Sequence, residues 1–167
     1  MDRRDVLRAA GLTGLLGLSG CTGAVPIVGE TTLGMFAVYN YHQESDHRFD
    51  VRIERDGAVV HESSHRLRAF DPTAESASPP HAVVSCTWND TAGEYTVFVR
   101  SDGREWRQFD VIGGLVRTVR PPECVIAYAR YGDDVGPSED PPKFTFVLDE
   151  TDCTEAQNDP EGCAWVD

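Results

Sequence analysis

From His47 to Glu54 the chain alternates, with Phe49, Val51 and Ile53 on one side and Arg48, Arg52 and Glu54 on the other. A period of two places the two sets on opposite faces of an extended strand, so this stretch reads as a half-buried strand. Asp56-Gly57 then separates it from Ala58–Arg68. Asp-Gly is a strong hairpin signal because the tight turn that matches strand twist needs positive φ at both central residues. The pattern recurs downstream: Tyr95, Val97 and Val99 alternate up to Ser101-Asp102-Gly103, and Arg104–Val111 returns with Trp106, Phe109 and Val111. Thr31–Tyr41, His81–Trp88, Leu115–Arg120, Cys124–Tyr131 and Lys143–Asp149 are further strand candidates, divided by Gly113-Gly114, Pro121-Pro122 and Gly136–Pro142. No segment has the 3.6-residue periodicity of an amphipathic helix. The sequence therefore predicts an all-β fold, an antiparallel sandwich of about seven to nine short strands. One domain over residues 31–167 suits the usual domain size.

A family resemblance rests on Asp90-Thr91-Ala92-Gly93-Glu94-Tyr95-Thr96-Val97. It resembles the turn of immunoglobulin-like and fibronectin-like domains in which a tyrosine opens a strand and its hydroxyl satisfies a nearby backbone group. Val97 stands where a true immunoglobulin domain carries its second cysteine, so the inter-sheet disulfide is not expected there. Asn40 together with Phe49–Gly57 is also similar to adhesion-type modules of prokaryotic cell-surface proteins.

The N-terminus carries a different message. Arg3 and Arg4 precede Val6 and Leu7, and a charge-free stretch from Ala9 to Gly20 follows. Its four glycines and its shortness, set against the roughly 20 apolar residues a membrane span needs, make it a signal rather than a spanning helix. The paired arginines resemble a twin-arginine export motif. Leu18-Ser19-Gly20-Cys21 resembles a lipobox, in which the cysteine thiol takes lipid after cleavage. The resemblance implies that residues 1–20 are removed, that Cys21 anchors the chain to the extracytoplasmic membrane face, and that residues 21–30 form the tether.

Four other cysteines remain: Cys86, Cys124, Cys153 and Cys163. Outside the cytoplasm an even number permits two disulfides with three possible connectivities. Cys153 with Cys163, closing an acidic loop, and Cys86 with Cys124, tying two strands, is the favoured pairing; buried thiols are the alternative.

Fifteen Lys+Arg face 28 Asp+Glu. Removal of residues 1–20 leaves 12 against 26, and the only lysine is Lys143. Such a surface argues against nucleic acid and anionic lipid head groups as partners. Acid excess, scarce lysine and a twin-arginine lipoprotein signal together resemble secreted proteins of halophilic archaea, which implies stability that rises with salt.

Catalytic and metal chemistry find little purchase. No Gly-x-Ser-x-Gly elbow, His-Glu-x-x-His helix or phosphate-cradling glycine loop is present, although Ser63-Ser64-His65 and Ser85-Cys86 offer nucleophiles. Among His42, His47, His61, His65 and His81, no blue-copper set of two histidines and a cysteine is apparent. His61 and His65 in a strand would have backbones about 13 Å apart, too far for one metal. The carboxylates around Cys153 and Cys163 are the densest oxygen-ligand group for calcium, but EF-hand spacing is missing. No catalytic residue, metal or cofactor is expected. Two readings stand: a non-catalytic binding or structural module facing an envelope protein or glycan, or a ligand or metal carrier serving a membrane transport system.

Overall fold

The computed structural model describes residues 30–74, 78–84, 88, 91–115, 122–132 and 142–151. Among them the order is β1 (Thr32–Asn40), β2 (His47–Arg55), β3 (Ala58–Leu67), β4 (His81–Val84), β5 (Tyr95–Ser101), β6 (Arg107–Asp110), a helical turn α1 (Val111–Gly114), β7 (Cys124–Tyr131) and β8 (Phe144–Thr151). They form two four-stranded sheets, β4-β1-β7-β8 and β3-β2-β5-β6. The protein is an all-β sandwich. Every neighbouring pair is antiparallel except β1 with β7.

The alternation read from the sequence sets the layers. Phe49, Val51 and Ile53 of β2 and Tyr95, Val97 and Val99 of β5 are all buried and pack on Leu33, Phe36 and Val38 of β1 and Val125, Ala127 and Ala129 of β7. The β1 positions break strict alternation because a bulge between Leu33 and Met35 inserts one residue and shifts the phase. Both Asp-Gly turns have the positive φ that their composition demands: 52° and 77° at Asp56-Gly57, 50° and 71° at Asp102-Gly103.

Three elements differ from the sequence expectation. Arg104–Trp106 belong to the turn, and β6 begins only at Arg107. Val111 opens the helical turn, because the Asp110 side chain accepts the Gly113 N–H as an N-cap. Leu115, expected to start a strand, closes that turn through its N–H to Ile112; residues 116–120 lie outside the described set. Trp88 stands beyond the end of β4 yet is buried in the core, its indole N–H donating to the Leu33 carbonyl at 2.6 Å.

Register defines two ends. At one, Thr31 bridges Gly93, the β2–β3 turn approaches Glu94, and Tyr95 opens β5 with its hydroxyl donating to the Thr91 carbonyl. The other end gathers the β1–β2 loop, the Asp102-Gly103 turn, the end of β7 and the start of β8. The first end receives the chain from residue 30; the second lies along β1, about 30 Å away for nine residues at ~3.3 Å each.

Candidate functional site

The far end is where polar side chains converge. Its loop, residues 41–46, is shaped by Asn40, which is fully buried and whose amide N–H groups donate to the carbonyls of Arg68 at 2.7 Å and Ser45 at 3.3 Å. Its side-chain oxygen accepts the His42 N–H. These bonds bring His42 back over β2. Gly132 lets the chain pass beneath: its φ is +71°, and a Cβ there would sit 3.2 Å from the His42 nitrogen.

A hydrogen-bonded chain results. His42 Nδ1 lies 2.7 Å from His47 Nε2, and His47 Nδ1 lies 2.6 Å from Asp102 Oδ2. A carboxylate only accepts, so His47 donates from Nδ1 to Asp102, and its Nε2 shares the second bond with His42 Nδ1. His42 Nε2 is left at the outer end of the chain of bonds. Burial pushes the Asp102 carboxyl up, but the Arg48 N–H, the His47 bond and the charges of His47 and Arg104 outweigh it and hold it below the usual carboxylate range.

Tyr131 lies beneath the imidazoles, edge-on to His47 with ring centroids 4.8 Å apart and close to Phe49 and Phe144. It is 1 % exposed, and its hydroxyl has no hydrogen-bond partner among the described residues. Such a group costs about 1–3 kcal/mol when left unmade. Tyr131 also forms part of the wall of a cavity of about 250 Å³. Ser101, Pro142 and Phe144 complete the inner wall, and Arg104, Glu105, Arg107 and Lys143 the rim. On the other side of the same turn, Arg48, Asp50, Arg100 and Asp102 line an open depression. The charges there satisfy one another. Asp50 accepts from Ser64, from Arg100 at 2.9 Å and from Arg48 at 3.1 Å. The Ser64 hydrogen bond, aided by the arginines and opposed by burial, holds its carboxyl below the usual range. Arg100 also stacks over Trp106 at 4.4 Å.

The residues singled out from sequence are scattered. Arg3, Arg4, Cys21, Cys86, Cys153 and Cys163 lie outside the described residues, as does most of the acidic C-terminal segment. Cys124 opens β7, fully buried, on the side away from the core residues Val125 and Ala127. His81 stacks on Tyr39 at 4.9 Å. His61 and His65 are closer than strand spacing suggests, because both rings lean onto the Ser63 hydroxyl, at 2.9 and 2.8 Å. Burial lowers both histidines, with repulsion from His65 adding to the effect at His61. Among the described residues no three His, Cys, Asp or Glu side chains are grouped to hold a metal ion, and no helix is long and apolar enough to cross a membrane. Sequence reading singled out neither Asp102 as a histidine partner nor Tyr131; Asp102 carried only a turn signal, and its link to His47 spans 55 residues.

Compared with known proteins, the chain matches no family model, and no curated protein matches it in sequence.

Proposed function

We propose that this chain is a non-catalytic binding module, held to the extracytoplasmic membrane face by lipid on Cys21 and receiving its ligand at the end far from the tether. The anchor rests on Arg3-Arg4, the charge-free stretch and Leu18–Cys21. The tether of residues 22–30 reaches at most about 30 Å and joins the domain beside Thr31 and Tyr95. The observation that carries the binding role is the opposite end, where a cavity adjoins a buried tyrosine whose hydroxyl lacks a partner. A concavity with an apolar wall and a few convergent polar groups is the usual form of a small-molecule site. The same cavity supports the carrier reading, in which the ligand passes to a membrane transport system. The Asp90–Val97 turn supports kinship with immunoglobulin-like domains through the Tyr95 hydroxyl bond to Thr91. Strand order limits that kinship to architecture, since immunoglobulin domains keep their first two strands in one sheet and here β1 and β2 lie in opposite sheets.

Native mass spectrometry of the protein extracted from its own membranes tests both parts. The expected species begins at lipidated Cys21 and carries a small non-protein adduct. An unprocessed Met1 would overturn the anchor; a lipidated chain with no adduct under gentle conditions would overturn the binding role.

A further inference from the structure

We infer that the cavity beside Tyr131 binds a small oxyanion, a phosphate or carboxylate group carried on a small molecule. The inference rests on the binding-module reading and names its ligand class. Acidic residues outnumber basic ones 28 to 15 in this chain, yet Arg104, Arg107 and the only lysine, Lys143, ring one cavity against a single acid, Glu105. Among the described residues that line the cavity, the charge balance is the reverse of the chain's. Among the described residues neither Arg104 nor Arg107 is held in an ion pair, unlike Arg48, Arg52 and Arg100, whose guanidinium groups pair with Asp50 or Glu54. Guanidinium groups meet oxyanions through paired, charge-assisted hydrogen bonds. At the inner wall, the Tyr131 hydroxyl is a donor without an acceptor, and a bound oxyanion supplies one. Phe144 and Pro142 give the carbon portion of the ligand an apolar surface. A volume of about 250 Å³ admits a molecule of a few to about ten heavy atoms. The site also sits at the end remote from the proposed lipid anchor, which favours a free small molecule over a head group of the same membrane.

The test uses the lipidated mature chain in detergent, titrated calorimetrically with inorganic phosphate and with succinate at fixed potassium chloride concentration. Saturable binding is expected for at least one probe, weakened about tenfold or more in Arg104→Gln/Arg107→Gln, where two charge-assisted contacts are lost. Tyr131→Phe should weaken it by about three- to tenfold, the worth of one hydrogen bond. Arg66→Gln, which removes a charge away from the cavity, should leave the affinity unchanged. Soluble dihexanoyl phosphatidylglycerol, titrated in the same way, separates the two sources of phosphate: binding to it alone, lost in the double variant, supports the oxyanion site and assigns it to a head group. Heats that grow without saturation, or binding equal in wild type and double variant, would overturn the inference. If they do so while the membrane-extracted protein still carries an uncharged adduct, the oxyanion assignment falls and the binding module stands.

Discussion

Each end of the sandwich buries one tyrosine to 1 % exposure, and the surroundings of the two phenols differ. Tyr95, at the end where the chain enters, donates to the Thr91 carbonyl. Around it the polar groups close on one another: Arg55 donates to the Trp88 carbonyl at 2.8 Å, the Asp56 carboxylate accepts the Glu94 N–H, and the Gly93 N–H donates to Thr31. Tyr131, at the far end, is equally buried but has an unsatisfied hydroxyl beside a cavity. Buried polar groups in folded proteins are ordinarily paired. The described polar groups around Tyr95 are paired and contribute stability, whereas the hydroxyl left open beside the cavity retains capacity for something else. This asymmetry, together with the entry of the chain at the satisfied end, is why binding is assigned to the far one.

The largest test of the contrast is at the satisfied end. Trp88→Ala should cost about 3–5 kcal/mol in chemical denaturation, through lost burial and the lost bond to Leu33. A loss below 1 kcal/mol would show that this end is not the stabilising one. Asp102→Ala should cost about 1–2 kcal/mol, since alanine must adopt φ near +50° without the side-chain bonds that hold the turn. In the nuclear magnetic resonance spectrum His47 should lose its slowly exchanging Nδ1 proton at the same time.

Acid separates the edge of the core from the far end. His61 and His65 are lowered by burial, so the unfolded chain binds their protons first as pH falls. Their contribution is complete above the ordinary imidazole value of about 6.5 and is lost as pH falls through the window below it. Asp50 and Asp102, also lowered, add a second limb: their contribution is complete above the ordinary carboxylate value of about 3.9 and is lost as pH falls through their depressed folded values. His61→Gln/His65→Gln should flatten the upper limb and leave the lower one in place; an unchanged upper limb would remove the histidines from the account. The smallest effect is His42→Ala, at about 0.5–1 kcal/mol for one lost hydrogen bond, because His47 keeps its bond to Asp102. A larger loss would make the His42–His47–Asp102 chain a structural strut.

What the sequence made legible was local. Alternation in His47–Glu54 and Tyr95–Ser101, and the Asp-Gly turns, announce themselves because period and turn chemistry act over a few residues. The parallel pairing of β1 with β7 did not, since it joins segments about ninety residues apart and reads only as two apolar runs. The bulge at Leu33–Met35 hid the β1 core positions for a related reason: its inserted residue shifts the period partway along. The site was least legible. His42 and His47 stood out as histidines, but their partner Asp102 reads as a turn residue, and Tyr131 reads as an ordinary strand aromatic until its hydroxyl is found without an acceptor. His61 and His65 show the opposite failing, for backbone spacing separates them while their side chains lean together onto Ser63.

The most direct measurement replaces each tyrosine by phenylalanine and compares unfolding free energies in ligand-free buffer. Tyr95→Phe should lose about 1 kcal/mol with its bond to Thr91, and Tyr131→Phe should lose nothing or gain stability, because an unpaired hydroxyl leaves the interior. Equal losses at both positions would mean that Tyr131 is satisfied as Tyr95 is, and would contradict the assignment of the far end as the binding end.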